Sequence, residues 1–143
     1  MFFSNDRNKI RQFFRTSWQK FVDKQPAEPI ELIVGEVVSL HPEYHALLEA
    51  EEEILDKDYL PENGESNPFL HMGMHITLRE QYLSDRPAGI NLLYKKILME
   101  AGDAHQTEHL MMDCLGESLW QAQQSGQMPN EARYLDCLRQ LIK

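Results

Sequence analysis

Cysteine is scarce in this chain: two residues, Cys114 and Cys137, among 143. They show neither CxxC spacing nor a nucleophile signature. Both fall in segments with a helical pattern, and the N-terminus has charges where a secretion signal needs an apolar run. The expectation is therefore a pair of reduced thiols in a cytoplasmic protein. No uninterrupted apolar stretch approaches the length of a membrane span, so an integral membrane protein is not expected. There is no glycine-rich phosphate loop and no GxSxG elbow, which removes the common nucleotide-binding and serine-hydrolase readings. Positive charge is also short, with 14 Lys and Arg against 23 Asp and Glu and a net charge of −9. Phosphate neutralisation needs a basic face, so nucleic-acid binding is not the expected task.

The deficit is uneven. Residues 1–25 hold six basic and two acidic side chains, and the excess acid lies in the rest. A basic amphipathic first helix can sit on a membrane surface, a protein partner or a second copy of the chain; packing on its own acidic body is the plainer alternative. At 16.7 kDa the expectation is one domain spanning residues 1–143 with a single core.

What the sequence does have is helical periodicity. Phe3, Ile10, Phe13, Phe14, Trp18 and Phe21 recur near a 3.6-residue period after a cap at Ser4 or Asn5. "KQPAEP" breaks that helix. "IELIVGEVVSL" would also suit a strand, but no second strand signal exists to pair with it, so it is assigned as helix. "HPEYHALLEAEEEIL" starts another, with Pro42 in its first turn. Asp56–Asn67 form a polar loop whose Leu60 and Pro61 rule out an EF-hand. Asn67 caps a helix that begins at Pro68 and runs to about Ser84. "DRP" breaks it, a helix follows over Ala88–Ala101, and Gly102 ends that one. Asp103 caps a long helix to about Ser125, and Asn130 opens the last. The fold class is all-α, a bundle of six to seven helices, with Trp18, Trp120 and Tyr134 read as core.

All six histidines fall into pairs spaced i, i+4: His41/His45, His71/His75 and His105/His109. On a helix that spacing stacks two imidazoles one turn apart on one face, within reach of a single ion. Glu49 and Asp113 extend two of these faces, and Glu108 sits three residues past His105. Imidazole with carboxylate suits zinc, iron, manganese or nickel. Each pair also lies near a predicted helix N-terminus, where the dipole disfavours imidazolium; the same location suits an anion. A single HxxxH pair is more often two hydrogen-bonded core histidines. The first pair is the weakest, because Pro42 pushes His41 out of helical dihedrals.

"HQTEH" matches the H-x-x-E-H string of inverted zinc peptidases, but five residues carry little, and Glu108 reads better as a ligand or a helix-face charge. Met72, Met74, Met111, Met112 and Cys114 could make a soft copper(I) site; methionines at helical spacing are more often core filler.

The segments "HPEYH", "NPFLHMGMH", "REQYLSDRPAGI", "GDAHQTEHLMMDCLGESLWQAQ" and "YLDCLRQL" resemble the successive blocks of a family of small bacterial proteins known as domain of unknown function 1841. The resemblance covers nearly the whole chain. It implies importance for the six histidines and for Asn67, Pro68, Glu80, Asp103 and Glu108, and it implies no reaction. Asp113 stands where the family tends to have glutamate, and Gln124 where it tends to have a basic residue. The arrangement is loosely similar to hemerythrin-like and other di-iron bundles.

The expectation is thus a metal site, mono- or dinuclear, holding a divalent transition metal, zinc or iron first. Its ligands are drawn from His71, His75, His105 and His109, with His41 and His45 completing it and Glu108, Asp113 and Glu80 as carboxylates. The alternative is an interaction protein with structural histidines that docks partners through its N-terminal helix.

Overall fold

The computed structural model describes residues 7–49 and 67–143. Among them are seven α-helices, one 3-10 turn and no strand. The helices are α1 (Arg7–Val22), α2 (Pro29–Ser39), α3 (His45–Glu49), α4 (Pro68–Ser84), α5 (Ile90–Ala101), α6 (Ala104–Ser125) and α7 (Glu131–Gln140), with the 3-10 turn at Pro42–Tyr44. The all-α expectation holds. Phe3, the Ser4/Asn5 cap, the glutamates 51–53 and the loop 56–66 lie outside the described residues. No described helix is long and apolar enough to cross a membrane. The chain divides into two compact units, Met1–Ile76 and Thr77–Lys143.

In the first unit α1 packs on α2. The core is Phe14, Trp18, Val34, Val37, Val38, Leu48, Phe69, Met72 and Ile76, with Ile10, Phe13 and Phe21 partly buried against it. The "IELIVGEVV" segment is helical, and its buried positions Glu31, Val34, Gly35 and Val38 trace one helix face. Gly35 is where α1 comes closest: a Cβ there would sit 2.6 Å from the Phe21 ring. Glu31 accepts from the Glu28 amide at 2.8 Å and pairs with Lys20 at 2.7 Å, which together hold its carboxyl below the usual range. A partly exposed ion pair contributes at most about 1 kcal/mol, whereas one fully buried Phe contributes about 2 to 3 kcal/mol. The α1–α2 pairing therefore rests on its aromatic core.

In the second unit α5, α6 and α7 pack on one another, burying Ile90, Leu93, Ile97, Met111, Leu115 and Leu138. Its turns read as the sequence suggests. Asp85, with φ of 53°, accepts from the amides of Gly89 and Asn91. Gly102 ends α5 in the left-handed region, Asp103 caps α6 through the Gln106 amide, and Asn130 caps α7 through that of Arg133.

Two expectations fail here. Cys114 and Cys137 are not free thiols: they form a disulfide between α6 and α7, with Cα atoms 5.7 Å apart. Packing of two helices brings together residues separated by 23 positions, which no local spacing announces. Their redox state therefore no longer helps to assign a compartment. Trp120 is 60% exposed instead of core. It lies five residues past buried Leu115, about 140° around the helix, and so off the buried stripe.

Candidate metal centre

The first unit gathers three imidazoles. Asn67 starts α4 by accepting from the amides of Phe69 and Leu70 at 3.0 and 3.2 Å, with Pro68 at the first helical position. This start sets His71 and His75 one turn apart on one face, ring centroids 4.9 Å apart and nearly perpendicular. His41 joins them from a different segment. Pro42 holds it outside any helix, at φ −126° and ψ 67°, and its ring lies 5.1 Å from His71 and 4.9 Å from His75. His41 and His75 are buried, and His71 is half-buried.

The orientation of His41 is fixed by the backbone. Its Nδ1 lies 2.7 Å from the Val37 carbonyl oxygen. A carbonyl can only accept, so Nδ1 carries the proton and the lone pair of the neutral ring is on Nε2. This is the arrangement by which a carbonyl commonly aims a histidine at a metal. His45 goes elsewhere. Its Nε2 donates to the Val38 carbonyl at 2.8 Å, and its ring lies on Trp18 at 4.4 Å. The first pair does not act as an HxxxH unit; one member joins α4 and the other joins α1. Glu49 accepts from the Trp18 indole at 3.2 Å.

The second unit holds the third pair. His105 and His109, both half-buried on the first turns of α6, have ring centroids 4.3 Å apart. Glu108 is fully buried. Its carboxylate accepts from Arg79 Nε at 3.1 Å and from the Tyr82 hydroxyl at 2.8 Å. Burial, then the Glu108 charge and this hydrogen bond, keep the Tyr82 phenol protonated well above its ordinary range. A carboxylate balanced by a guanidinium and held by a phenol suits a structural ion pair better than a general base. Asp113 is exposed, and Glu80 is half-buried with its carboxyl pushed up by burial. Met72, Met111 and Met112 are buried as core, the packing reading.

Sequence spacing therefore singled out the pairs His71/His75 and His105/His109; it gave no sign that His41 joins the first of them, and it missed the groups that hold these residues. Arg79 is 29 positions from Glu108 and Tyr82 is 26. The carbonyls of Val37 and Val38 have no side-chain signature at all. The one available signal for Arg79 and Tyr82 is indirect: a buried carboxylate requires a cation and donors from somewhere.

No curated protein and no solved structure shows significant similarity to the chain. A family model matches residues 6–140, nearly the whole chain: the chain belongs to the family described as domain of unknown function (DUF1841).

Proposed function

We propose that this chain binds a divalent transition metal through its histidine pairs, with zinc or iron as the favoured ion. The observation that supports this most is the meeting of His41, His71 and His75 in the first unit, with the His41 ring aimed by the Val37 carbonyl. The favoured ligands are His41, His71 and His75 in that unit, with His105 and His109 as a separate pair in the other. The donor set is imidazole-rich, because Glu108 is held by Arg79 and Tyr82 and Asp113 points outward. Such a set suits zinc or iron more than calcium or magnesium. A bound metal with an open position would acidify a coordinated water, which makes hydrolytic or hydration chemistry the class to assay first.

The test is metal analysis of protein made without a histidine tag, before and after dialysis against a chelator. Stoichiometric zinc or iron that falls on His75→Ala or on His105→Ala supports the reading. A metal-free chain whose melting temperature does not move when zinc or iron(II) is added overturns it. Docking through the N-terminal helix is less favoured, because Phe14 and Trp18 of α1 are buried in the core.

A further inference from the structure

We infer that the cleft beside the Cys114–Cys137 disulfide is a thiol–disulfide exchange site for a small zwitterionic thiol. The cleft, about 310 Å³, lies in the second unit, and both sulfur-bearing residues line it. The two sulfurs are not equivalent. Cys114 is buried at 2% exposure on α6, whereas Cys137 on α7 is half-buried. An attacking thiolate entering the cleft therefore meets Cys137 first.

The walls carry charge of both signs. Arg133 lines the cleft, is exposed, and has no ion-pair partner among the described residues. Glu117 and Asp136 line it too. Glu117 accepts from the Gln121 amide at 3.2 Å, and Asp136 pairs with Arg139 at 2.7 Å. A guanidinium suits the carboxylate of an amino-acid thiol, and the acids suit its ammonium. Tyr134 donates its hydroxyl to Gln81 at 2.6 Å and serves as a wall.

The step is balanced without another reactant. The incoming thiolate sulfur bonds to Cys137 Sγ as the Cys137–Cys114 bond breaks. The electron pair leaves on Cys114 Sγ, which takes a proton from water. A second thiol then attacks the mixed disulfide, releasing the oxidised small thiol and the Cys137 thiol. The protein disulfide is reduced and two small thiols are oxidised.

The experiment uses the full oxidised chain with cysteine, glutathione or 2-mercaptoethanol at matched thiolate concentration, quenched and read by intact and peptide mass spectrometry. The two zwitterionic thiols are expected to react about tenfold faster than neutral 2-mercaptoethanol, the ratio one charge-assisted contact of about 1.4 kcal/mol supplies. The adduct should map to Cys137. Arg133→Ala should slow the two zwitterionic thiols more than 2-mercaptoethanol and so remove the preference. Equal rates for all three thiols, an adduct on Cys114, or reduction that proceeds at the unfolding rate whatever the thiol overturns the inference. As a check independent of the disulfide, Cys114→Ser should trap a cysteine adduct on Cys137 when treated with cystine, and a chain that stays unmodified counts against the site. None of these readouts depends on metal.

Discussion

Arg79 donates its Nε to the Glu108 carboxylate at 3.1 Å, and the two side chains are 11% and 0% exposed. An ion pair so buried is costly to assemble but far costlier to break on one side, because the remaining charge is stranded. Glu108→Ala and Arg79→Ala should each lose about 3 to 5 kcal/mol in urea unfolding. The double variant Arg79→Met/Glu108→Leu should recover much of that loss. Single variants that unfold like the parent would show that water already reaches the pair.

Gly35 faces Phe21 so closely that an alanine Cβ would lie 2.6 to 2.7 Å from three of its side-chain atoms. Replacing a helical glycine by alanine gains about 1 kcal/mol of helix propensity. Overpacking costs about 1 to 3 kcal/mol, so the clash wins and Gly35→Ala should be destabilising. Adding Phe21→Ala should make the pair of changes less harmful than their sum. A more stable Gly35→Ala would mean that α1 yields easily. Thermal unfolding decides it.

Tyr82 and Tyr134 are both held protonated above the ordinary phenol range, each chiefly by burial. The folded chain therefore keeps protons that the unfolded chain releases above about pH 10. Stability from this source is complete below that pH and declines as pH rises through it. Tyr82→Phe and Tyr134→Phe should flatten the alkaline loss of stability, measured by urea midpoints between about pH 9 and 11. Parallel decline in variants and parent would refute the assignment.

His41 and His45 offer an internal control, since one ring meets His71 and His75 and the other lies on Trp18. His41→Ala should lower metal affinity by about tenfold or more, as loss of a ligand or of its orientation does. His45→Ala should leave metal content unchanged and lower stability by about 1 to 2 kcal/mol through lost packing and a lost hydrogen bond. Competition titration against a chromophoric chelator separates the two. The reverse order of effects would move the site towards α3.

Much of the helical framework was legible because its signals are local. Asn67-Pro68, Gly102-Asp103 and Asn130 mark ends that a few neighbouring residues determine. The assignment of α2 as helix also follows from its own stripe of buried positions. The i, i+4 spacing located His71/His75 and His105/His109 correctly on helix faces, and Pro42 correctly set His41 apart from His45. What could not be read depends on packing. The Cys114–Cys137 bond, the Arg79 and Tyr82 grip on Glu108, and the outward turn of Trp120 all depend on which faces meet. Glu108 shows the limit best: its place between two histidines says nothing of the Arg79 and Tyr82 side chains of α4 that hold its carboxylate.

The end of α2 has no glycine stop, and two successive carbonyls there receive imidazoles: Val37 from His41 and Val38 from His45. Val37 also accepts from the Leu40 amide and Val38 from the His41 amide. The Val37 carbonyl is therefore a built-in vibrational gauge of the His41 ring. With a carbon-13 label at Val37, its infrared stretch would register any change in the charge on that imidazole, without a dye or a mutation near His71 and His75.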